Sequence, residues 1–549
     1  MLQAPRPEET TAAWRARFRW SVPPRINIAH QTVGRWAAET PDRTALVHVD
    51  ENGGRQVFSF ADLDRQAARL AAGLLHLGVQ PGDRVGICLS QSPEAALAHL
   101  AVYRIGAIAL PLFTLFGPEA LAFRLADSGA RAVVVDPGRV EALMSVRADC
   151  PDLAHVIVTG PEPVAAGTTA FARLLRDATG ALPGILDTAA DDPAVIIYTS
   201  GTTGNPKGAL HAHRVLTGHL PGVQMPHDFP PQAGDMFWTP ADWAWIGGLL
   251  DVLLPAWAMG LPVLSQRMRK FDPEAAFRLM AAERVRNVFL PPTALKLMRG
   301  VSRAAMPADL ALRSVGSGGE SLGSELLDWG RDTFGVPINE FYGQTECNLV
   351  VSCNQRIEPS PPGAMGRAVP GHDVAIVDED GQPVADGMAG EIAVAAPDPV
   401  MFLRYWNNPA ATEAKFRAGR LLTGDMGRRD AQGLFHFMGR ADDVITSGGY
   451  RIGPGEIEDC LIRHPAVAMA AVIGKPDALR TEIVKAFVVP AAGVEPSDDL
   501  ARQLGQHVRD RLAAHEYPRE IAFVAELPMT ATGKIMRRVL KDREARKGD

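Results

Sequence analysis

Between Tyr198 and Gly208 the chain reads Y-T-S-G-T-T-G-N-P-K-G. Glycine lets a backbone approach closely and adopt positive φ, so a stretch of this kind can wrap a phosphate chain. Thr199, Ser200, Gly201, Thr202, Thr203, Gly204, Asn205, Pro206 and Lys207 offer amides, hydroxyls and one cation for that purpose. It is no Walker loop, because Lys207 follows Pro206 and precedes Gly208, whereas that motif needs G-x-x-x-x-G-K-[ST] opening a helix. Other segments carry groups suited to the same kind of ligand. Glu340-Phe341-Tyr342-Gly343-Gln344-Thr345-Glu346 ends in Glu346, a hard oxygen ligand of the type Mg²⁺ takes. Thr423-Gly424-Asp425 sets a carboxylate in a Gly-flanked turn, where it can accept from neighbouring hydroxyls. Gly439 to Glu458 is glycine-rich and charged, and Pro528 to Arg538 places Lys534 after a small, flexible stretch.

The elements that must hold these groups are legible as a pattern. From Phe58 to Gly260 strand-like runs alternate with helical ones: Arg84 to Leu89, Ala107 to Leu112, Arg131 to Asp136 and His155 to Val158 read as strands, Pro93 to Arg104 as a helix. This is the signature of βαβ units on a mainly parallel sheet. It resumes with a strand at Asn287 to Leu290, a helix near Thr293 to Met298 and a strand at Leu312 to Val315, before Gly316-Ser317-Gly318-Gly319-Glu320-Ser321. Beyond Pro359, Pro361 and Pro362 the texture becomes strands and turns, with Val374 to Val377, the turn Asp380-Gly381 and Glu391 to Val394, which predicts a β-rich subdomain. After Gly439 a compact α+β unit follows, with helices over Glu456 to Arg463 and Leu500 to Ala513 and strands over Ala470 to Ile473 and Val484 to Val489. The fold class is therefore α/β: a large N-terminal domain, 1–439, of βαβ subdomains plus a β-rich subdomain, and a small C-terminal α+β domain, 440–549.

Bulk properties narrow the function. A chain of 549 residues exceeds one ordinary core, and 46% hydrophobic with 22% charged residues is a globular composition. A net charge of -7 argues against nucleic acid as the main partner. No window reaches the run of about 18 apolar residues that a membrane span needs, and Met1 to Thr10 has no apolar core of a secretory signal. The basic, aromatic stretch Trp14 to Trp20 is expected as a helix lying on its own domain. Cys88, Cys150, Cys347, Cys353 and Cys460 are scattered and odd in number, which suits a reducing compartment, the cytoplasm. His211 and His213 have spacing a metal could use, but no third ligand is visible, and a structural role at a helix start is expected.

The five chemistry-bearing segments, in this order and spacing, resemble the core motifs of the adenylate-forming superfamily, which holds acyl-CoA synthetases, luciferases and peptide-synthetase adenylation domains. The resemblance runs from Asn27 to the end of the chain. Ala441-Asp442-Asp443-Val444-Ile445 leading to Gly449-Tyr450-Arg451-Ile452-Gly453-Pro454 is most like the medium-chain acyl-CoA synthetases, with acetyl-CoA synthetase a nearby relative.

The resemblance implies ATP, as MgATP, and CoA as the molecules bound, with a small carboxylic acid as the third substrate. Thr199 to Lys207 would hold the β- and γ-phosphates, Thr345 the α-phosphate and Glu346 the Mg²⁺. Asp425 would take the ribose hydroxyls with Arg440 alongside, while Gly319, Glu320 and Ser321 lie along the adenine and Glu340 to Gln344 frame it. Lys534 would be the catalytic lysine of adenylation, bridging the attacking carboxylate and the α-phosphate. Asp442 matches the hinge about which the small domain swings after adenylation, replacing Lys534 by Gly448, Gly449 and Tyr450 for the thiol step. Arg451, Arg480, Arg509, Tyr517, Pro518 and Arg519 match positions that contact phosphate or CoA. Acylation of Lys534 by a cellular acyltransferase, reversed by a deacylase, would switch adenylation off.

Where acetate-specific relatives close the acyl pocket with tryptophan, this chain has Gly343; Gly247 and Gly318 are two more positions that are larger there. With Trp245 and Ile246 they imply a deeper pocket and a short- to medium-chain, small branched or aromatic acid, partly refilled by Trp243. Two other readings share the first half-reaction: loading of a carrier protein, and a luciferase-like oxygenase. The fifteen residues after Lys534 hold no carrier module, and the CoA-matching arginines favour free CoA.

Overall fold

The computed structural model describes residues 1–162, 164–178, 181–199, 206–268, 270–320, 322–441, 443–447, 450–477, 481–512, 516–529 and 535–545. Among these residues the strands assemble into four sheets. The first is eight-stranded and parallel at its centre, where Arg84–Cys88 lies between Ile108–Pro111 and Ala130–Val135. Pro193–Thr199 joins it in parallel, and Lys207–Ala212 returns antiparallel. The second is nine-stranded, with Ser314–Gly318 parallel to both Asn287–Phe289 and Ile338–Gln344, and Cys347–Ser352 antiparallel at the side of the latter.

The two sheets share one core. Buried residues of both, such as Val85, Ile87, Leu46 and Phe237, pack in one continuous cluster with helical residues Leu63, Leu70, Leu97 and Leu216. Helix Phe60–His76 starts with a capping box, since Ser59 accepts from the Asp62 amide and Asp62 from that of Ser59, and it buries Phe60, Leu63, Ala67, Leu70, Ala71 and Leu74 at helical spacing. Helix Pro93–Arg104 is alanine-rich and buried almost all round, which small side chains allow where two helical layers press close.

A third, antiparallel sheet of five strands holds Val374–Val377, Ala389–Ala395 and Arg420–Arg429, with Phe435–Arg440 paired to the last of these. The fourth sheet is formed by Ile445–Ser447, Tyr450–Ile452, Val467–Asp477, Thr481–Pro490 and Glu520–Phe523. Helices Pro454–Ile462 and Asp498–Arg509 cover it with a core of their own, including Ile457, Leu461, Val472, Leu504 and Val508. The architecture is a large α/β body followed by a smaller α+β unit.

The expected strands at His155–Val158 and Val374–Val377 stand at those residues. The strand expected over Leu312 to Val315 is Ser314–Gly318, because its parallel partners carry it on to Gly318. Trp14, 1% exposed, anchors the short helix Thr11–Arg17 to the body. His211 departs from the expected helix start: it lies within strand Lys207–Ala212, while His213 receives the Ile28 amide just before helix Val215–Gln224.

Candidate active site

The site groups come from elements of three sheets. Strand Pro193–Thr199 runs to Thr199, and residues 200–205 (Ser200, Gly201, Thr202, Thr203, Gly204 and Asn205) lie outside the described residues. Lys207 is not a loop residue; it opens the returning strand, in register with Thr199. A hairpin needs matched rungs at its mouth, and this one fixes where the lysine leaves the backbone. Its ammonium lies 5.3 Å from the ring centroid of Tyr405, within cation–π range. Tyr405 comes from Arg404–Tyr405, the strand added to the outer side of Lys207–Ala212.

Glu346 lies in the two-residue turn between antiparallel strands Ile338–Gln344 and Cys347–Ser352, and is buried. The Tyr405 hydroxyl donates to its Oε1. Thr345, half-buried, occupies the same turn. Gln344 donates from Nε2 to the Thr423 carbonyl at 2.9 Å, which ties this turn to Thr423-Gly424-Asp425; these three do not form the separate turn expected from the sequence but lie within strand Arg420–Arg429. The Lys415 ammonium braces the join, donating to Gln344 Oε1 at 3.1 Å, the Leu422 carbonyl at 3.1 Å and the Thr423 carbonyl at 3.2 Å. Burial pulls the Lys415 ammonium below its ordinary value, and the nearby carboxylates of Glu346 and Asp425 oppose that.

Asp425 is buried on strand Arg420–Arg429, after Gly424, whose φ of +77° suits glycine. Its Oδ2 accepts from the Tyr342 hydroxyl at 2.6 Å, and Oδ1 lies 3.2 Å from Arg440 Nε, the two residues being partners across the strand pair. Glu340 and Phe341 precede Tyr342 on strand Ile338–Gln344. The Glu340 carboxyl accepts from the Leu322 amide at 3.0 Å, and burial pushes it up to about 8. It thereby holds the far end of the turn that carries Gly319, with φ of +106°, and Glu320, whose carboxylate lies 3.4 Å from Lys296. Ser321 lies outside the described residues.

The three pocket glycines do not face open space. A Cβ on Gly247 would meet the Trp245 ring at 2.7 Å and the Phe289 ring at 2.9 Å, and one on Gly318 would meet the Phe341 ring at 2.5 Å. At Gly343 it would strike the Leu349 amide nitrogen at 2.3 Å. There the missing side chain serves close approach of two strands, which corrects the expectation of room at that position. Aromatic rings define this region: Phe289 lies 5.6 Å from Trp245 and 5.2 Å from Phe341, centroid to centroid. Trp243 is 1% exposed and belongs to the shared core, and Ile246 is buried beside it.

In the C-terminal unit, Arg509 and Arg519 flank the Tyr517 ring, 5.5 and 5.1 Å from its centroid, with Pro518 buried between. Asp442, Gly448, Gly449, Arg480 and Lys534 lie outside the described residues, as do the side chains of Tyr450 and Arg451. Sequence reasoning missed Tyr405 and Lys415. Each lies in a segment with no local signature and reaches the site only through tertiary pairing.

Among the described residues no group of three or more His, Cys, Asp and Glu side chains can hold a metal by itself. A single buried carboxylate, Glu346, suits an ion such as Mg²⁺ that takes its remaining ligands from phosphates and water.

The fold and these converging side chains define a nucleotide-handling α/β enzyme of the adenylate-forming type. The family description "AMP-binding enzyme" matches residues 33–406, and "AMP-binding enzyme C-terminal domain" matches 456–534. The chain belongs to the AMP-binding enzyme family. It is 35% identical over 543 residues to a human mitochondrial acyl-coenzyme A synthetase, ACSM2B, covering 95% of this chain and 92% of that protein. It is 35% identical over 524 residues to acetyl-coenzyme A synthetase of Bacillus subtilis, covering 94% and 90%. Among solved structures, an anthranilate CoA ligase in complex with anthranoyl-AMP superposes with a TM-score of 0.88 at 28% identity, covering 96% of this chain and 99% of that one.

Proposed function

We propose that this chain, as an AMP-forming carboxylate–CoA ligase, activates a small acid where the Glu346 turn meets the Asp425 strand and completes the thioester with its C-terminal unit. ATP and the acid give acyl-AMP and pyrophosphate; CoA then takes the acyl group and AMP leaves. The observation that carries the site assignment is the linked set Lys207, Tyr405, Glu346, Gln344, Lys415, Thr423, Asp425 and Tyr342, which joins two ammoniums, two carboxylates and their hydrogen-bond partners.

Lys207 and the 199–207 stretch bind the β- and γ-phosphates, Thr345 meets the α-phosphate, and Asp425 with Arg440 accepts the ribose. The Gly319–Glu320 turn lies along the adenine, held by Glu340. Glu346 holds Mg²⁺, which when bound neutralises phosphate charge. Lys534 stabilises the charge that develops as the acid attacks, and acylation of its amine by a lysine acyltransferase would remove that charge. The unit from residue 440 onward then turns about Asp442, bringing the Gly448–Tyr450 loop to the acyl-adenylate. Arg509, Tyr517 and Arg519 form a cationic, aromatic surface suited to the CoA phosphates. The rings of Trp245, Phe289 and Phe341 favour a compact or aromatic acyl group over a long chain. A reducing compartment, the cytoplasm, accords with five buried cysteines that are all free thiols.

The experiment is AMP release over a panel from acetate to octanoate with benzoates added, with and without CoA. Acid-dependent pyrophosphate release with AMP release only when CoA is present supports the reading. AMP release that needs a carrier protein, or O₂, in place of CoA contradicts it, as does a kcat/KM for acetate above every larger acid.

A further inference from the structure

Asp251 is an ionisable residue in an otherwise apolar run, Leu249-Leu250-Asp251-Val252-Leu253-Leu254, whose other members are 0% exposed. Asp251 itself is 4% exposed. A carboxyl can take part in several hydrogen bonds, yet among the described residues one donor reaches it: Asn348 Nδ2, at 2.6 Å from Oδ1. A buried polar group so thinly partnered is costly and calls for a reason. Burial pushes this carboxyl well above the ordinary carboxylate range, so charge pairing is not that reason.

Its position supplies one. Asp251 follows Gly247 by four residues, from the short α-helical turn Ile246–Gly248 into the π-helical turn Leu249–Leu253, so the two stand about one turn apart. Asn348 stands against Gly343, where a Cβ would lie 2.6 Å from its Oδ1. The pair thus spans from the helix that carries Gly247, where a Cβ would meet the Trp245 and Phe289 rings, to the strand pair that carries Gly343.

We propose that Asp251 and Asn348 are specificity-determining residues, and that the acid activated is an aromatic carboxylate bearing a hydroxyl or amino substituent that hydrogen-bonds to this pair. The inference rests on the acyl site proposed above. A site built to bond a substituent discriminates strongly against the analogue that lacks it, because its own polar groups are then left unpaired.

The test is acid-dependent ATP–pyrophosphate exchange with benzoate and with the hydroxy- and aminobenzoates, for the wild type and for the double variant Asp251→Leu, Asn348→Leu. At least one substituted acid is expected to exceed benzoate in kcat/KM by about tenfold or more. In the double variant, which replaces both partners by apolar groups of similar size, the ratio of substituted acid to benzoate should fall to one or below. Benzoate preferred over every substituted acid by the wild type, or an unchanged ratio in the variant, overturns the specificity role alone; where the double variant shows no exchange with any acid, the wild-type preference decides it. No exchange by the wild type with any carboxylate overturns the acid-activating reading, and this inference with it.

Discussion

On the proposed function Glu346 would hold a divalent ion, and a carboxylate with that task has to be held still before the ion arrives. The Tyr405 hydroxyl donates to Glu346, while the face of the same ring lies under the Lys207 ammonium. Tyr405→Phe keeps the ring and removes the hydroxyl. A hydrogen bond to a charged group contributes about 1.5–3 kcal/mol, so Mg²⁺-dependent ATP binding should weaken by about 10- to 100-fold. Titration calorimetry with and without Mg²⁺ reads this, and an unchanged Kd in Mg²⁺ contradicts the role. Glu340 offers a second test, through pH. Burial raises its carboxyl from 4.5 to about 8 in the folded chain. The stability this gives is complete below pH 4.5 and is lost as pH rises to about 8, since the unfolded chain ionises first. Glu340→Gln removes that slope. The melting temperature of the variant relative to wild type should therefore rise between pH 5 and pH 8.5, and a constant difference contradicts a carboxyl buried with its proton.

At the scale of elements, one arginine ties the last helix to the small unit. Arg537, at the start of helix Arg537–Ala545, donates to both oxygens of Glu458 on helix Pro454–Ile462, at 3.1 and 2.6 Å, and lies 3.5 Å from Asp443. Glu458 also receives the Val472 amide at 2.7 Å and is buried. Arg537→Ala strands that carboxylate, which costs about 3–5 kcal/mol. Limited proteolysis should then cut the C-terminal unit well before the large body, and a wild-type pattern contradicts the tie. The same scale shows what the sequence makes legible. His155–Val158 is a β-branched run, and Pro93–Arg104 has a capping Ser92 and a proline at its start, so local chemistry announces both. Lys207 hides its strand, because glycine and proline around it read as loop. Tyr405 and Lys415 carry no local sign at all: their roles arise from a strand added at a sheet edge and from an ammonium reaching three acceptors. Gly343 reads as absent bulk in the sequence and as close strand approach in the fold.

For the molecule as a whole, the two large sheets share one core, whereas the residues from Ile445 onward bury their own. A unit with a separate core can turn without unfolding anything, and that independence is what a two-step reaction needs if one small unit serves both steps. Helix Pro454–Ile462 meets the large body where a Cβ on Gly323 would lie 3.7 Å from Asp459, beside the turn assigned to adenine. On the proposed function this unit brings Lys534 to the adenylation step and withdraws it for the thioester step. The most direct measurement is Lys534→Ala, assayed separately for acid-dependent ATP–pyrophosphate exchange and for thioester formation from supplied acyl-AMP and CoA. Exchange should fall by about 100-fold or more, as for loss of a group that stabilises transition-state charge, while thioester formation stays close to wild type. Exchange at the wild-type rate, or equal loss in both half-reactions, would contradict the claim.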